Sequence, residues 1–251
     1  MALDEAVLDA VARGDVAPTL RLYAWHPPCI SSGYGQNLAE FDRARLAADG
    51  IGLVRRPSGG RAVLHKDELT YCLCVPEGDR RVTGGVLESY RRTSDGLLEG
   101  LRRLGVPSEM AEGRKAEDGA SAACFDSPSR YELTATGRKL VGSAQWRHNG
   151  GVLQHGSVPL NGDVTELVDY LALDEAERER ARDVLRRRAG TVSQALGRTV
   201  CFSEVAAALS EGLAGKLDIE WVSADLSGEE LLRAEVLARE KYGSQSWLTR
   251  S

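Results

Sequence analysis

Two periods of apolar and polar residues divide this chain into elements. The opening MALDEAVLDAVARG sets Leu3, Val7, Ala10 and Val11 at helical spacing among acidic residues, which predicts an amphipathic helix. TLRLYAW, residues 19–25, has strand character, and NLAEFDRARLAADG, residues 37–50, predicts a helix closed by Gly50. IGLVRRP then runs into a glycine turn. After it, RAVLH and LTYCLCVP predict two strands, the second ended by Pro76. Val86, Tyr90, Leu97, Leu98, Leu101 and Leu104 recur at helical intervals until Gly105 and Pro107 stop the pattern. Residues 131–160 read as short strands broken at Thr-Gly and Asn-Gly-Gly, a hairpin signature. From Thr165 onward the pattern is mostly helical. LDIEWV, residues 217–222, reads as a late strand, and with the helix that follows it predicts a small C-terminal lobe at about residues 200–251. Adjacent strands with flanking helices predict an α+β fold on a mixed, mainly antiparallel sheet, not strict βαβ winding.

Composition narrows the class without changing this picture. The chain has 251 residues, 42% of them hydrophobic and 27% charged, which suits one globular domain spanning 1–251. A net charge of −5 gives no general attraction to nucleic acid or an anionic membrane, so neither is expected as a partner and any basic contact surface is local. The candidates are RRPSGGR and the arginines at positions 178, 180, 182, 186, 187 and 188. No run reaches the ~18 apolar residues of a membrane span, and the first helix lacks a signal peptide's basic-then-apolar order. Five cysteines, odd in number and scattered, suit a reducing compartment. The expected location is the cytoplasm.

Several residues bear on chemistry. In RRPSGGRAVLH the glycines allow close backbone approach while the arginines supply forked donors for phosphate or carboxylate; the competing reading is a hairpin turn with solvated arginines. The motif matches neither the phosphate-loop nor the dinucleotide glycine pattern. Cys72 and Cys74 point to one strand face, as buried hydrophobes or, with His65, as part of a zinc site. Cys124, in SAACFDSPSRYEL, sits in loop-forming sequence, either as a free structural thiol or as a nucleophile activated by a nearby cation. Lys139 begins a strand after a glycine turn, and His155 lies within one. Their plain readings are a surface lysine and a core histidine; their chemical readings are a donor to a carbonyl and a cleft residue.

RRPSGGRAVLHKDELTY, CFDSPSRYEL, GRKLVGSAQ and LQHGSV, in this order, resemble the lipoate-protein ligase and octanoyltransferase superfamily, which shares its α+β catalytic fold with biotin-protein ligases. The resemblance extends to MALDEAVLDAV, RLYAWHPPCISSGYGQ and the terminal KYGSQSW, with residues 165–213 the least diagnostic. It implies an acyl cleft between sheet segments, lined by Arg56, Ser58, Gly59, Gly60, Arg61, His65, Gly142, Ser143, Ala144, His155 and Gly156. Cys124 occupies the place of the cysteine in the C-F-x-x-P-S-x-Y-E-L pattern of LipM-type octanoyltransferases, although Arg130 stands where an aromatic residue is frequent. The resemblance therefore implies an acyltransferase in lipoate biosynthesis, with octanoyl-acyl carrier protein as donor. The acceptor is a lipoyl-domain lysine, on glycine cleavage H protein or a 2-oxoacid dehydrogenase E2. Cys124 would be the nucleophile and Lys139 the group on the carbonyl oxygen, with no cofactor. The alternatives are an ATP-dependent lipoate ligase, which uses ATP and Mg and sets Lys139 on an adenylate phosphate, and a non-catalytic acyl-binding protein of the same fold.

Overall fold

The protein, described here by a computed structural model for residues 1–111 and 131–250, is built on a six-stranded sheet. Its spatial order is β1 (Thr19–Tyr23), β5 (Glu68–Pro76), β9 (Gly151–Pro159), β8 (Arg138–His148), β7 (Glu132–Ala135) and β6 (Ser108–Ala111), all neighbours antiparallel. The β7–β8 and β8–β9 turns are the Thr-Gly and Asn-Gly breaks of the sequence, and all four residues have positive φ, as two-residue hairpin turns of the tight type require. A smaller sheet sets β2 (Cys29–Ser32) between parallel β3 (Gly52–Arg55) and antiparallel β4 (Val63–His65).

Strand β5 is buried on both faces, which accounts for its nearly unbroken apolar sequence. Leu69, Tyr71, Leu73 and Val75 pack into the core under α3 (Val86–Arg103) and α6 (Phe202–Leu217), while Cys72 and Cys74 on the opposite face meet Val7, Leu8 and Val11 of α1 (Ala2–Arg13). A second core joins Ile30 and Val63 of the small sheet to the 3₁₀ turn Val164–Tyr170 and to Leu185 of α4 (Glu175–Arg188). Short α5 (Val192–Leu196) leads into α6, and α7 (Gly228–Leu237) lays Ala234 and Leu237 on Ala6 of α1.

Three sequence expectations are corrected. The helix over residues 37–50 is two pieces, a 3₁₀ turn at Leu38–Glu40 capped by Asn37 and α2 (Arg43–Ala48) capped by Asp42. Between them Phe41 is extended and buried, bridging to Leu171, so burial of an aromatic ring wins over helix continuity. LDIEWV forms no strand: Leu217 ends α6, Asp218 is left-handed, and the Trp221 indole donates to the Ser210 carbonyl at 2.9 Å. Ile219 and Trp221 pack on the main core from outside any sheet. In α1 the acids as well as the apolar residues are buried. Asp4 accepts from Arg21 and Tyr23, Glu5 from Lys241 and Tyr242 (both 2.6 Å), and Asp9 from Arg233 at 3.0 Å.

Candidate active site

A cleft with about 410 Å³ of empty space, counting the solvent in its open mouth, lies between the two sheets. The glycine turn contributes Arg56, Gly59 and Gly60; the small sheet contributes Ser31, Val63 and His65. The large sheet contributes Thr70, Gly142, Ser143, Ala144, His155, Gly156 and Ser157, and Met1 completes the lining. The β8–β9 register pairs Gly142 with Ser157, Ser143 with Gly156 and Ala144 with His155, so small residues from two strands stand side by side and leave the space open.

The glycine turn is held from behind by buried arginines, which corrects the reading of solvated ones. Arg56 donates to the carbonyls of Ser31 (2.9 Å), Gly59 (2.9 Å) and Arg61 (2.7 Å). Arg55 donates to the carbonyls of Gly33 (3.2 Å), Tyr34, Gln36 (3.0 Å) and Leu248 (2.9 Å). Gly60 has φ +96°, and a Cβ on Gly33 would overlap the Gly60 carbonyl, so the two backbones touch where no side chain fits. Arg61 is half-buried, pairs with Glu40 at 3.4 Å and is not part of the lining.

The polar groups of the cleft are turned on one another. Ser58, behind the lining, makes a 2.6 Å hydrogen bond to His155 Nε2. Burial pushes His155 down to about 3, with the Arg56 guanidinium adding to the effect and Asp4 opposing it, so the imidazole is neutral at physiological pH. His65 lies between Ser31 Oγ (2.9 Å from Nε2) and Thr70 Oγ1 (3.3 Å from Nδ1), and Trp25 stacks on its ring at 4.4 Å. Thr70 has one hydroxyl proton and gives it to Glu68 at 2.7 Å, while its oxygen accepts from the Trp25 indole at 3.0 Å. By that accounting His65 Nδ1 is the donor to Thr70 and Nε2 accepts from Ser31. Ser157 donates to the other Glu68 oxygen at 2.7 Å. What faces the cavity is mainly apolar.

Lys139 is buried near the start of β8, its ammonium 2.6 Å from Glu132 Oε1; it is not among the lining residues, and its carbonyl accepts from Gly190 N at 3.1 Å. This corrects the reading of a surface lysine. Cys124 lies outside the described residues. Cys72 and Cys74 are buried with their sulfurs 3.7 Å apart among Val7, Leu8 and Leu153, and burial raises the Cys72 thiol well above its usual range. Both ring nitrogens of His65 are engaged elsewhere, so these two sulfurs pack as hydrophobes. Ser31, Val63, Thr70 and Ser157 are lining residues that the sequence did not single out. Thr70 and Ser157 face each other across the β5–β9 ladder, a pairing that only the register reveals. No helix is long and apolar enough to cross a membrane among the described residues.

Comparison with known proteins agrees with this geometry. The family model of the lipoyl protein ligase A/B catalytic domain matches residues 1–214. Octanoyltransferase LipM of Symbiobacterium thermophilum is 44% identical over 256 residues, covering 98% of this chain and 92% of that protein. Octanoyltransferase LipM of an Exiguobacterium species is 42% identical over 255 residues, covering 99% and 92%. A chain from the structure of the bipartite lipoate protein ligase and its E2 lipoyl domain from Thermoplasma acidophilum has the same fold, with a TM-score of 0.82 at 24% identity over 99% of this chain and 89% of that one. This chain belongs to the lipoyl protein ligase A/B catalytic-domain family.

Proposed function

We propose that this chain is an octanoyltransferase of lipoate biosynthesis that moves an octanoyl group from an acyl carrier protein thioester to the lysine of a lipoyl domain, by way of Cys124. The observation that carries the reading is the cleft. Its histidines, serines and threonine are hydrogen-bonded to one another or to Ser58, Glu68 and Tyr71 behind them, so an uncharged acyl chain can fill it without taking their partners away. The near-full-length likeness to LipM octanoyltransferases supports the choice of reaction.

In the first step the Cys124 thiolate attacks the thioester carbonyl, the carrier's thiolate leaves with the electron pair of the broken C–S bond, and octanoyl-Cys124 forms. In the second, the neutral amine of the acceptor lysine attacks that thioester, loses a proton, and releases the Cys124 thiolate as the amide forms. A thioester is already activated, so neither ATP nor a metal enters the balance. Lys139 is the cation nearest in sequence to the cleft wall at Gly142, and its buried ammonium stabilises the oxyanion of both tetrahedral intermediates. Glu132 orients that ammonium through a 2.6 Å charge-assisted hydrogen bond.

Intact-mass measurement of an apo lipoyl domain tests this directly. Octanoyl-carrier protein should add one octanoyl mass, and Cys124→Ala should abolish the transfer. Modification by lipoate with ATP and Mg²⁺, unaffected by Cys124→Ala, would instead establish a ligase. Binding without modification in either mixture would establish an acyl-binding protein.

A further inference from the structure

The terminal KYGSQSW has no part in the chemistry above, yet the structure ties it to the cleft by a short chain of contacts. It runs from the end of a π-helical turn, Ala238–Tyr242, into α8 (Gln245–Leu248). One side of this segment is pinned to α1: Lys241 and Tyr242 both reach Glu5, and the Lys241 ammonium lies 4.4 Å from the centre of the Trp247 ring and 5.2 Å from that of Trp146. The other side closes a reciprocal latch on β3. Trp247 Nε1 donates to the Arg55 carbonyl at 2.9 Å, and Arg55 Nε donates back to the Leu248 carbonyl at 2.9 Å.

Arg55 passes the latch on in two directions. Its side chain gathers the carbonyls of Gly33, Tyr34 and Gln36, and Gly33 is the residue whose Cα abuts the Gly60 carbonyl; the Tyr34 amide also donates to the Ser58 carbonyl at 2.9 Å. Along the chain, Arg55 precedes Arg56, whose guanidinium holds the Gly59 and Arg61 carbonyls. Both routes converge on the Gly59–Gly60 wall of the cleft. A glycine turn has no side chains of its own with which to hold a shape, so its position is set by whatever braces its backbone.

We propose that residues 238–248 are a clasp that sets the position of the cleft's glycine wall, with Trp247 and Arg55 as positioning residues and the acyl chain as the ligand whose fit they control. For that ligand the inference rests on the function proposed above. No residue of 238–248 is among the described residues that line the cleft, so the clasp governs how well the acyl donor is held and leaves the chemistry of a bound donor alone.

Two measurements on the full chain separate the inference from its premise. The first is hydrogen exchange, which needs no activity. In Trp247→Ala the Tyr34, Gln36 and Arg56 amides, all hydrogen-bonded in or beside the turn, should exchange at least about tenfold faster, with β5 and β9 unchanged. Trp247→Phe keeps an aromatic ring in place but loses the N–H donor and part of the indole's bulk, and should fall between. The second is single-turnover formation of octanoyl-Cys124. Trp247→Ala should raise the half-saturating concentration of octanoyl-carrier protein about tenfold and leave the saturated rate within about twofold. No octanoyl-Cys124 in the parent protein would refute the proposed reaction while leaving the exchange result to judge the clasp. The clasp is overturned if exchange at the three amides is unchanged, if it rises together with β5 and β9, or if the saturated rate falls with half-saturation unmoved.

Discussion

Two stretches of this chain are equally dense in arginine and meet opposite fates. Around the glycine turn, Arg55 and Arg56 are buried and direct their donors to the backbone carbonyls of Ser31, Gly33, Tyr34, Gln36, Gly59, Arg61 and Leu248. On α4, half-buried Arg182 pairs with Glu179 of its own helix at 2.6 Å and with Asp169 of the 3₁₀ turn before it, and exposed Arg186 pairs with Asp183 at 2.9 Å. The difference follows from spacing. Arginines among Glu and Asp three and four residues away find partners on their own helix. Arginines in a Pro-Ser-Gly-Gly turn have no carboxylate within reach of the local backbone, and their forks fit the unpaired carbonyls that such a turn leaves. The first kind of arginine builds the site; the second keeps a helix soluble.

The sharpest way to break this comparison is to delete the buried fork. Arg55→Ala strands the carbonyls of Gly33, Tyr34, Gln36 and Leu248, and with each bond from a charged donor worth ~1.5–3 kcal/mol the variant should lose about 4 kcal/mol or more of stability in urea titration. Arg55→Lys should recover less than half of that, because a point charge does not span a fan of acceptors. A loss below about 1 kcal/mol would mean that the carbonyls are served by water and that burial does not mark the scaffold arginines.

Lys139 combines features of both arginine groups, buried like Arg55 but paired with a carboxylate like Arg182. If it serves the oxyanion, Lys139→Ala should slow formation of octanoyl-Cys124 by about 10²–10³ at saturating carrier protein. The half-saturating concentration should stay near the parent value. A shift in half-saturation alone would reassign Lys139 to holding the β7–β8 hairpin.

His155 shows the same burial acting on a group that can shed its charge. Its proton affinity is depressed from 6.5 to about 3 in the folded state, so the unfolded chain takes up a proton below pH 6.5 that the folded chain refuses until near pH 3. Stability is therefore full above pH 6.5 and falls as pH drops through that window, by up to a few kcal/mol at ~1.36 kcal/mol per unit. His155→Gln should flatten this part of the stability–pH curve. An unchanged slope would place the acid sensitivity elsewhere.

These contrasts also mark what the sequence could tell. The hairpins were legible because Thr-Gly and Asn-Gly impose their turns locally, and α3 was legible because its apolar stripe is regular. The glycine turn announced a site, and its place in the cleft wall follows from the approach that Gly60 permits. Asp4, Glu5 and Asp9 read as solvent-facing because a polar–apolar pattern has no symbol for an acid whose partner, such as Lys241 or Arg233, lies at the other end of the chain. Arg55 was opaque for the same reason, its partner Leu248 being remote. LDIEWV misled because apolar residues that cap a helix core from outside carry the composition of a strand without its pairing.

The smallest effect is expected on α4, and it tests the comparison from the opposite side. Charge reversal at Arg186, Arg187 and Arg188 removes exposed arginines, of which Arg186 holds an i,i+3 pair with Asp183. Exposed pairs of this kind contribute ~0.2–1 kcal/mol and are weakened by salt. These arginines also occupy the last turn of α4, where positive charge complements the helix dipole by a further ~0.3–1 kcal/mol. Reversal should therefore lower stability by about 1–2 kcal/mol in low salt, less at high salt, and well below the Arg55→Ala loss. Docking adds a second readout, because an acidic carrier protein would be steered by this end of the helix. If α4 is only a solvated face, the rate at subsaturating octanoyl-carrier protein should stay within about twofold of the parent at low ionic strength. A tenfold fall that vanishes at high salt would show instead that these arginines steer the donor, and the exposed cluster would then belong to the reaction as much as the buried one.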